Sequence, residues 1–204
     1  MGIELLDNVF QTVVLTLTAL CAVYLALRSG RRSLWLLAFA YGSFALGTLY
    51  YVLHLALVGH VPQVFYVSEV SWLASHLFFL SRELLYTDGM RVRFLPVPAA
   101  LAVLTAAAAI VFDVFGPSIF VKGAFAIVAG SDVYLALQRI LTGHGGKLSA
   151  VCLLLVPLLQ ILLFAVSAFT RDYSHFGLYY IVDLLLTADI IALLPITCRE
   201  DTQQ

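Results

Sequence analysis

Several ionisable side chains interrupt long apolar runs of this sequence, where such side chains are usually excluded. Six stand out: His54, Glu69, His76, Asp132, Asp183 and Asp189. An ionisable group at membrane depth is costly, so it usually faces the interior of a helix bundle and marks a functional site. A histidine that meets a carboxylate at a hydrated cavity could act in general acid–base chemistry. His76 with Asp132 is the pair that we single out for catalysis.

Polar neighbours at helical spacing extend this set of candidates. Further ligand-binding candidates are Thr48, Tyr50, Ser75, Tyr179 and Thr187. Tyr179 and Thr187 stand four residues before and after Asp183, so the three share one helix face. Asp183 and Asp189 lie about 120° apart on a helix, so they cannot both point at one spot.

The composition of the chain indicates what kind of structure must position these residues. Of 204 residues, 62% are hydrophobic and only 11% are charged, with a mean hydropathy of +1.01. Soluble domains carry roughly 25% charged residues, so lipid is the expected surrounding. The net charge of −1 argues against a nucleic-acid partner. The three cysteines show no metal-ligand spacing, and we predict no metal and no cofactor.

Seven long apolar runs predict an all-α, polytopic bundle of seven transmembrane helices in a single domain. The runs cover about 10–27, 34–58, 64–86, 94–115, 119–140, 148–169 and 176–197. Each holds roughly the 20 residues that a helix needs to cross the hydrocarbon of a bilayer. The short breaks between them carry glycine and proline, which favour turns.

The distribution of basic residues predicts the orientation of the bundle. One side of the predicted membrane carries Arg28, Arg31, Arg32, Arg82, Arg91, Arg93, Arg139, Lys147 and Arg199, whereas the other side carries Lys122 and Arg171. The positive-inside rule places the first side in the cytoplasm. The N-terminus, with Glu4 and Asp7, is then outside and the C-terminus is cytoplasmic. We interpret these basic residues as membrane-surface charge with no further role.

The candidates concentrate in four of the predicted helices. They predict a polar pocket between helices 2, 3, 5 and 7, while helices 1, 4 and 6, which are nearly featureless apart from Gln160 and Ser167 in helix 6, are expected to form the scaffold. By the rise of about 1.5 Å per residue, His54, Glu69 and Asp183 lie near the outer surface. Deeper positions, roughly 15–20 Å in, are predicted for Thr48, His76, Asp132 and Asp189. Ala129 and Ala136 flank Asp132 on its own face, where small residues would let another helix approach closely.

Two stretches of sequence resemble known families. Residues 41–76, YGSFALGTLYYVLHLALVGHVPQVFYVSEVSWLASH, resemble the membrane input regions of some bacterial histidine kinases and cyclases. The second resemblance is to the YhhN-like lysoplasmalogenases. It is carried by KGAFAIVAGSDVYLALQRI with a Ser-Asp pair at Asp132, by LASHLFF with a Ser-His pair at His76, and by LGTL. This resemblance implies lipid hydrolysis by Asp132 and His76, but Thr48 stands where the family pattern has an aspartate.

Three functions follow from these observations as alternatives. The first is a protein of the cytoplasmic membrane that binds or senses a small or amphiphilic, lipid-like ligand and signals through a partner protein or a homo-oligomer. The second is a lysoplasmalogenase-like hydrolase that uses Asp132 with His76 or Glu69 as acid and base. The third is a proton-coupled carrier, because proton relays also use buried carboxylates.

Overall fold

The computed structural model describes residues 2–59, 66–87, 94–112, 118–143, 145–170, 173 and 175–200. These residues form seven α-helices and no β-strand: α1 (Ile3–Ser29), α2 (Arg32–Val58), α3 (Tyr66–Thr87), α4 (Pro96–Val111), α5 (Ile119–Thr142), α6 (Lys147–Phe169) and α7 (Leu178–Glu200). Five of them, α1, α2, α5, α6 and α7, are long and apolar enough to cross a membrane. The chain is therefore an all-α membrane bundle, as the composition predicts.

The helix ends differ from the sequence prediction mainly at α1. This helix begins at Ile3 rather than Phe10, so Glu4 and Asp7 lie in its first turns and not in an outer tail. Acidic residues are favourable there because the helix dipole presents positive partial charge at the N-terminus. At its other end, Gly30 adopts the left-handed conformation with φ of 69°, which ends the helix.

Six of the helices that the structure describes close into a ring, and α4 lies outside it. Along the ring, α1 packs on α2, α2 on α3, α3 on α5, α5 on α6, α6 on α7, and α7 returns to α1. α4 packs mainly on α5, with a smaller contact to α6. The consequence for function is that α3 and α5 are direct neighbours although α4 separates them in sequence.

Small residues allow these helices to approach closely, which matters because lipid leaves no hydrophobic force to drive helices together. Ala129 and Ala136, on the face of Asp132, are fully buried, which confirms the prediction made for them. On the neighbouring face a Cβ atom at Gly130 would lie 3.0 Å from the carbonyl oxygen of Ala102 in α4. Large apolar side chains such as Phe120 instead point outward.

The contact between α2 and α3 depends on a glycine, and this generates a prediction. A Cβ atom at Gly47 would lie 2.8 Å from Nε1 of Trp72 and 3.1 Å from the carbonyl oxygen of Ser68. We expect Gly47→Ala to lower the free energy of unfolding by about 1–3 kcal/mol, the usual range for overpacking. The measurement is equilibrium unfolding by SDS titration in mixed micelles.

Gly42 in the same helix provides the matched control, because a Cβ atom there would meet nothing within 4 Å. Gly42→Ala should leave stability unchanged or raise it by up to about 1 kcal/mol, through helix propensity alone. Equal effects of the two substitutions would contradict the close contact at Gly47.

Candidate functional site

The interface of α3 and α5 carries polar residues in a repeating register. On α3, Glu69, His76 and Glu83 follow one another at intervals of seven residues. Glu69 interacts electrostatically with Lys122 of α5, and the His76 ring packs edge-on against Phe125 with centroids 4.9 Å apart. Further along, Glu83 forms an ion pair with Arg139. The two helices therefore run in the same direction.

His76 occupies the middle of this interface and is the most unusual polar group there. The residue is fully buried, and neither ring nitrogen has a hydrogen-bond partner. Its surroundings are aromatic, with Phe79 at a centroid distance of 6.2 Å in addition to Phe125. Neutral imidazole needs one donor and one acceptor contact, so both of its hydrogen-bonding functions remain available to another molecule.

Asp132 lies on the facing side of α5, one heptad before Arg139, just as His76 precedes Glu83. On α3 the electrostatic neighbour of Asp132 is Glu83, whereas His76 contacts Phe125, one heptad before Asp132. Asp132 is 1% exposed, and its Oδ1 atom has no hydrogen-bond partner among the described residues. The His76 nitrogens make no hydrogen bond there either, so the structure does not connect the predicted catalytic pair.

Three further polar atoms in this part of the bundle are buried without a hydrogen-bond partner. They are Ser75 Oγ, Glu69 Oε2 and Gln160 Oε1. Leaving a buried polar group unpaired costs about 1–3 kcal/mol, so each such group in a native structure requires an explanation, for example a bound ligand or water. Gln160, from α6, was not among the predicted site residues.

A second polar cluster joins α1, α2 and α7 towards the predicted outer side. The Gln11 side-chain amide donates to Asp183 Oδ1 over 3.1 Å and to Thr187 Oγ1 over 2.8 Å. Thr48 in turn donates to Gln11 Oε1 over 3.0 Å. The predicted residues Thr48, Asp183 and Thr187 are thus brought together, and Gln11 connects them.

The expectation that the first helix is featureless scaffold is therefore wrong. Gln11 is 4% exposed, and Asp7 lies within side-chain hydrogen-bonding range of Asp183. Glu4, one turn before Asp7, accepts a hydrogen bond from the Tyr51 hydroxyl of α2. A signal was present in the sequence, because Gln11 is a glutamine inside an otherwise apolar run.

Of the remaining predicted site residues, Tyr179 adjoins the outer cluster, whereas Tyr50, His54 and Asp189 lie elsewhere. Tyr50 and His54 are half-buried and contact each other near the end of α2, with ring centroids 6.2 Å apart. Tyr179 is half-buried, packs edge-on against Tyr173 at 5.1 Å and interacts electrostatically with Asp183. Asp189 faces α6, where its carboxylate lies within hydrogen-bonding range of the Cys152 thiol. As expected, Asp189 does not join Asp183.

A groove between α1 and α7 adjoins the outer cluster. Its volume is about 370 Å³, and its lining residues are Ile3, Leu6, Asp7, Phe10, Phe176, Tyr180 and Leu184. Leu6, Phe10 and Phe176 are largely exposed, so the groove opens on the apolar outer surface of the bundle. Asp7 contributes a carboxylate to its wall, and Asp7 Oδ2 is shielded from solvent without a hydrogen-bond partner.

The opposite end of the bundle contains a buried ionic cluster. Arg82, Glu83 and Arg139 are all fully buried. Arg82 donates to Thr197 Oγ1 over 2.7 Å, and both guanidinium groups lie over the ring of Tyr86, at 4.5 and 4.9 Å. The interpretation of Arg82 and Arg139 as membrane-surface charge is therefore wrong. Arg91, Arg93 and Arg171 lie outside the described residues.

The described residues contain no group of three or more His, Cys, Asp or Glu side chains that could hold a metal ion. No family model matches the chain, and neither a curated protein nor a solved structure matches it. The two resemblances seen in the sequence stay predictions. The fold and its buried polar groups define the class of protein: an all-α membrane bundle with an ionisable interior.

The hydrogen-bonding role of Gln11 generates a prediction. Gln11→Leu removes the donor to Asp183 and Thr187 and the acceptor for Thr48, which leaves buried polar groups unpaired. We expect the free energy of unfolding to fall by about 1–3 kcal/mol. SDS titration again measures it.

Asn8→Leu is the matched amide control for this substitution. Among the described residues the Asn8 amide donates to the Glu4 carbonyl of its own helix, over 2.8 Å, and to no other helix, and the side chain is half-buried. Equal destabilisation by both variants would mean that Gln11 does not connect the three helices.

Proposed function

We propose that this protein binds a small or amphiphilic ligand at the polar interface of α3 and α5, and that it acts as a membrane sensor or binding protein. The observation that carries the proposal is His76, a fully buried imidazole with both nitrogens unpartnered. A ligand that offers one donor and one acceptor would satisfy this ring. Binding sites typically combine apolar walls with a few polar groups of this kind.

The polar side chains near His76 favour a ligand that is recognised by its polar head group. Ser75 Oγ, Asp132 Oδ1 and Glu69 Oε2 are unpartnered near the same interface. The aromatic rings of Phe79 and Phe125 beside His76 supply apolar contact.

We further propose the location and orientation expected from the sequence: seven spans in the cytoplasmic membrane, with the N-terminus outside. Arg82 and Arg139 are buried and no longer count as surface charge. The exposed basic side chains at the proposed inner end are then Arg28, Arg32, Lys147 and Arg199. The positive-inside rule still favours this end for the cytoplasm. α3 counts as a span although Glu69, Arg82 and Glu83 lower its hydropathy, because all three are buried in the bundle.

Cysteine labelling tests the proposed orientation. The described ends of the bundle offer Lys147 on the proposed inner side and Gly177 on the outer side, both exposed. In a variant whose native cysteines are replaced by alanine, we expect an impermeant thiol reagent on intact cells to label Gly177→Cys but not Lys147→Cys. Permeabilised cells should label both. The reverse pattern in intact cells would contradict the orientation.

The two alternative functions differ in the support that they receive. The hydrolase needs His76 in contact with a carboxylate, and the His76 nitrogens have no hydrogen-bond partner. This activity stays a prediction from the resemblance. The proton-coupled carrier is favoured by the file of Glu69, His76 and Glu83, which repeats about every 10 Å along α3.

Thermal stability of the purified protein tests ligand binding. With lysolipids, phospholipids and small polar amphiphiles as the panel, we expect one class to stabilise the fold. A ligand at 100 times its Kd adds about 2.7 kcal/mol. His76→Phe should abolish this stabilisation, because it removes both nitrogens while keeping an aromatic ring. Ser81→Ala, on the exposed face of the same helix, is the control and should retain it.

The same samples separate the three functions. Cleavage of a lysolipid that is lost in His76→Phe would favour the hydrolase, and proton uptake into vesicles carrying the protein would favour the carrier. Equal stabilisation of the wild type and His76→Phe by every compound would contradict a site at His76.

A further inference from the structure

The N-terminus of α6 is occupied by a carboxylate from α7. Ser149 N–H donates to Glu200 Oε1 over 3.1 Å. The fit is close, because a Cβ atom at Gly146 would lie 1.7 Å from Glu200 Cδ. A helix N-terminus favours a negative charge through its free N–H groups and its dipole. Glu200 therefore lies where an anion would be bound.

Buried guanidinium groups complete the surroundings of this carboxylate. Arg139 donates from Nη2 to the Gly146 carbonyl over 2.9 Å and to Ser149 Oγ over 3.1 Å. It also interacts electrostatically with Glu200. Arg82 lies beside Arg139 on the ring of Tyr86. Both arginines are fully buried, whereas Glu200 and Gly146 are half-buried and form the outward wall.

Three guanidinium nitrogens at this site are buried without a hydrogen-bond partner among the described residues: Arg82 Nε, Arg82 Nη1 and Arg139 Nε. Glu83 pairs with Arg139 and lies 3.9 Å from Arg82 Nη1 through the same oxygen, Oε1. The second oxygen of Glu83 and Oε2 of Glu200 make no hydrogen bond within the part of the chain that the structure describes. A phosphate group offers three or more acceptor oxygens, and guanidinium groups bind it in a bidentate manner.

We propose that the N-terminus of α6, together with Arg139 and Arg82, is a binding site for a phosphate-bearing ligand, and that Glu200 fills this site in the described conformation. The ligand exchanges with the Glu200 carboxylate, while Glu83 stays in place as the permanent counter-ion. After exchange the two arginines again face two anionic groups, Glu83 and the phosphate. Either a soluble phosphate compound or the head group of an anionic phospholipid carries the required chemistry.

Exchange also has a mechanical consequence. Through Glu200 the last turn of α7 makes a hydrogen bond to the N-terminus of α6. When phosphate takes its place, this turn is no longer held by that contact. Cys198, which is half-buried in the same turn, should then become easier to alkylate.

The main test removes the negative charge of Glu200, which competes with phosphate for the site. Glu200→Gln keeps the shape of the side chain but removes its charge, so inorganic phosphate should bind the variant at least ~10-fold more tightly than the wild type, a difference of about 1.4 kcal/mol. Binding is measured as the rise in unfolding temperature at constant ionic strength, with chloride replaced by phosphate. Glu4→Gln, the same change at the other end of the bundle, should behave as the wild type.

Two further experiments test whether Arg139 binds the phosphate and whether the phosphate belongs to a lipid or to a soluble compound. In the Glu200→Gln background, Arg139→Lys keeps the charge but lacks the planar fork, and should lose at least ~10-fold in phosphate affinity. Phosphatidylglycerol in mixed micelles, compared with phosphatidylcholine, tests the lipid head group, and stabilisation by phosphatidylglycerol alone would assign the site to lipid. Stabilisation by inorganic phosphate alone would assign it to a soluble compound.

A second measurement leaves Glu200 intact. In a Cys21→Ala, Cys152→Ala variant, saturating phosphate or phosphatidylglycerol should speed alkylation of Cys198 by ~3-fold or more, because the last turn of α7 is released. Unchanged alkylation would overturn the exchange. Equal phosphate affinity of Glu200→Gln, Glu4→Gln and the wild type would overturn the site itself.

Discussion

The ion pair between Glu83 and Arg139 is the interaction on which the arrangement of the bundle depends. Both side chains are fully buried, and an unpaired charge there would cost several kcal/mol. The pair therefore holds α3 and α5 in a single register. In this register His76 packs against Phe125, and Glu69 comes near Lys122. The polar groups along α3 therefore face α5 rather than the lipid.

Polar contacts also close the ring of helices at its two ends. Gln11 connects α1 to α2 and α7 at one end, while Arg139 and Glu200 connect α5, α6 and α7 at the other. Between them the helices pack through small and apolar side chains. At both ends these contacts join residues that are distant in sequence, so the ring is held by side chains from its first and last helices as well as by neighbours.

Hydropathy predicted the helices and their number correctly, because run length and composition are local properties. Helical spacing also related Asp183 to Thr187, but it did not connect them to Thr48, because the residue that joins the three, Gln11, lies on another helix. The roles of Arg82 and Arg139 could not be predicted in this way. In sequence, an arginine near the end of an apolar run can be a side chain that extends to the membrane surface or a buried ion. Only the packing of α3 on α5 decides between these two positions. The adjacent Glu83 was the one local signal.

The position of α4 outside the ring has a consequence for biogenesis. α3 leaves the ribosome before α5, so Glu83 and Arg82 enter the membrane region before Arg139 and Thr197, their partners, have been synthesised. Charged side chains are poorly tolerated in an isolated helix. Until α5 and α7 have been made, the charges of Arg82 and Glu83 lack the partners that they have in the folded bundle. The burial of these two side chains is therefore an event of late folding, after most of the chain has been synthesised.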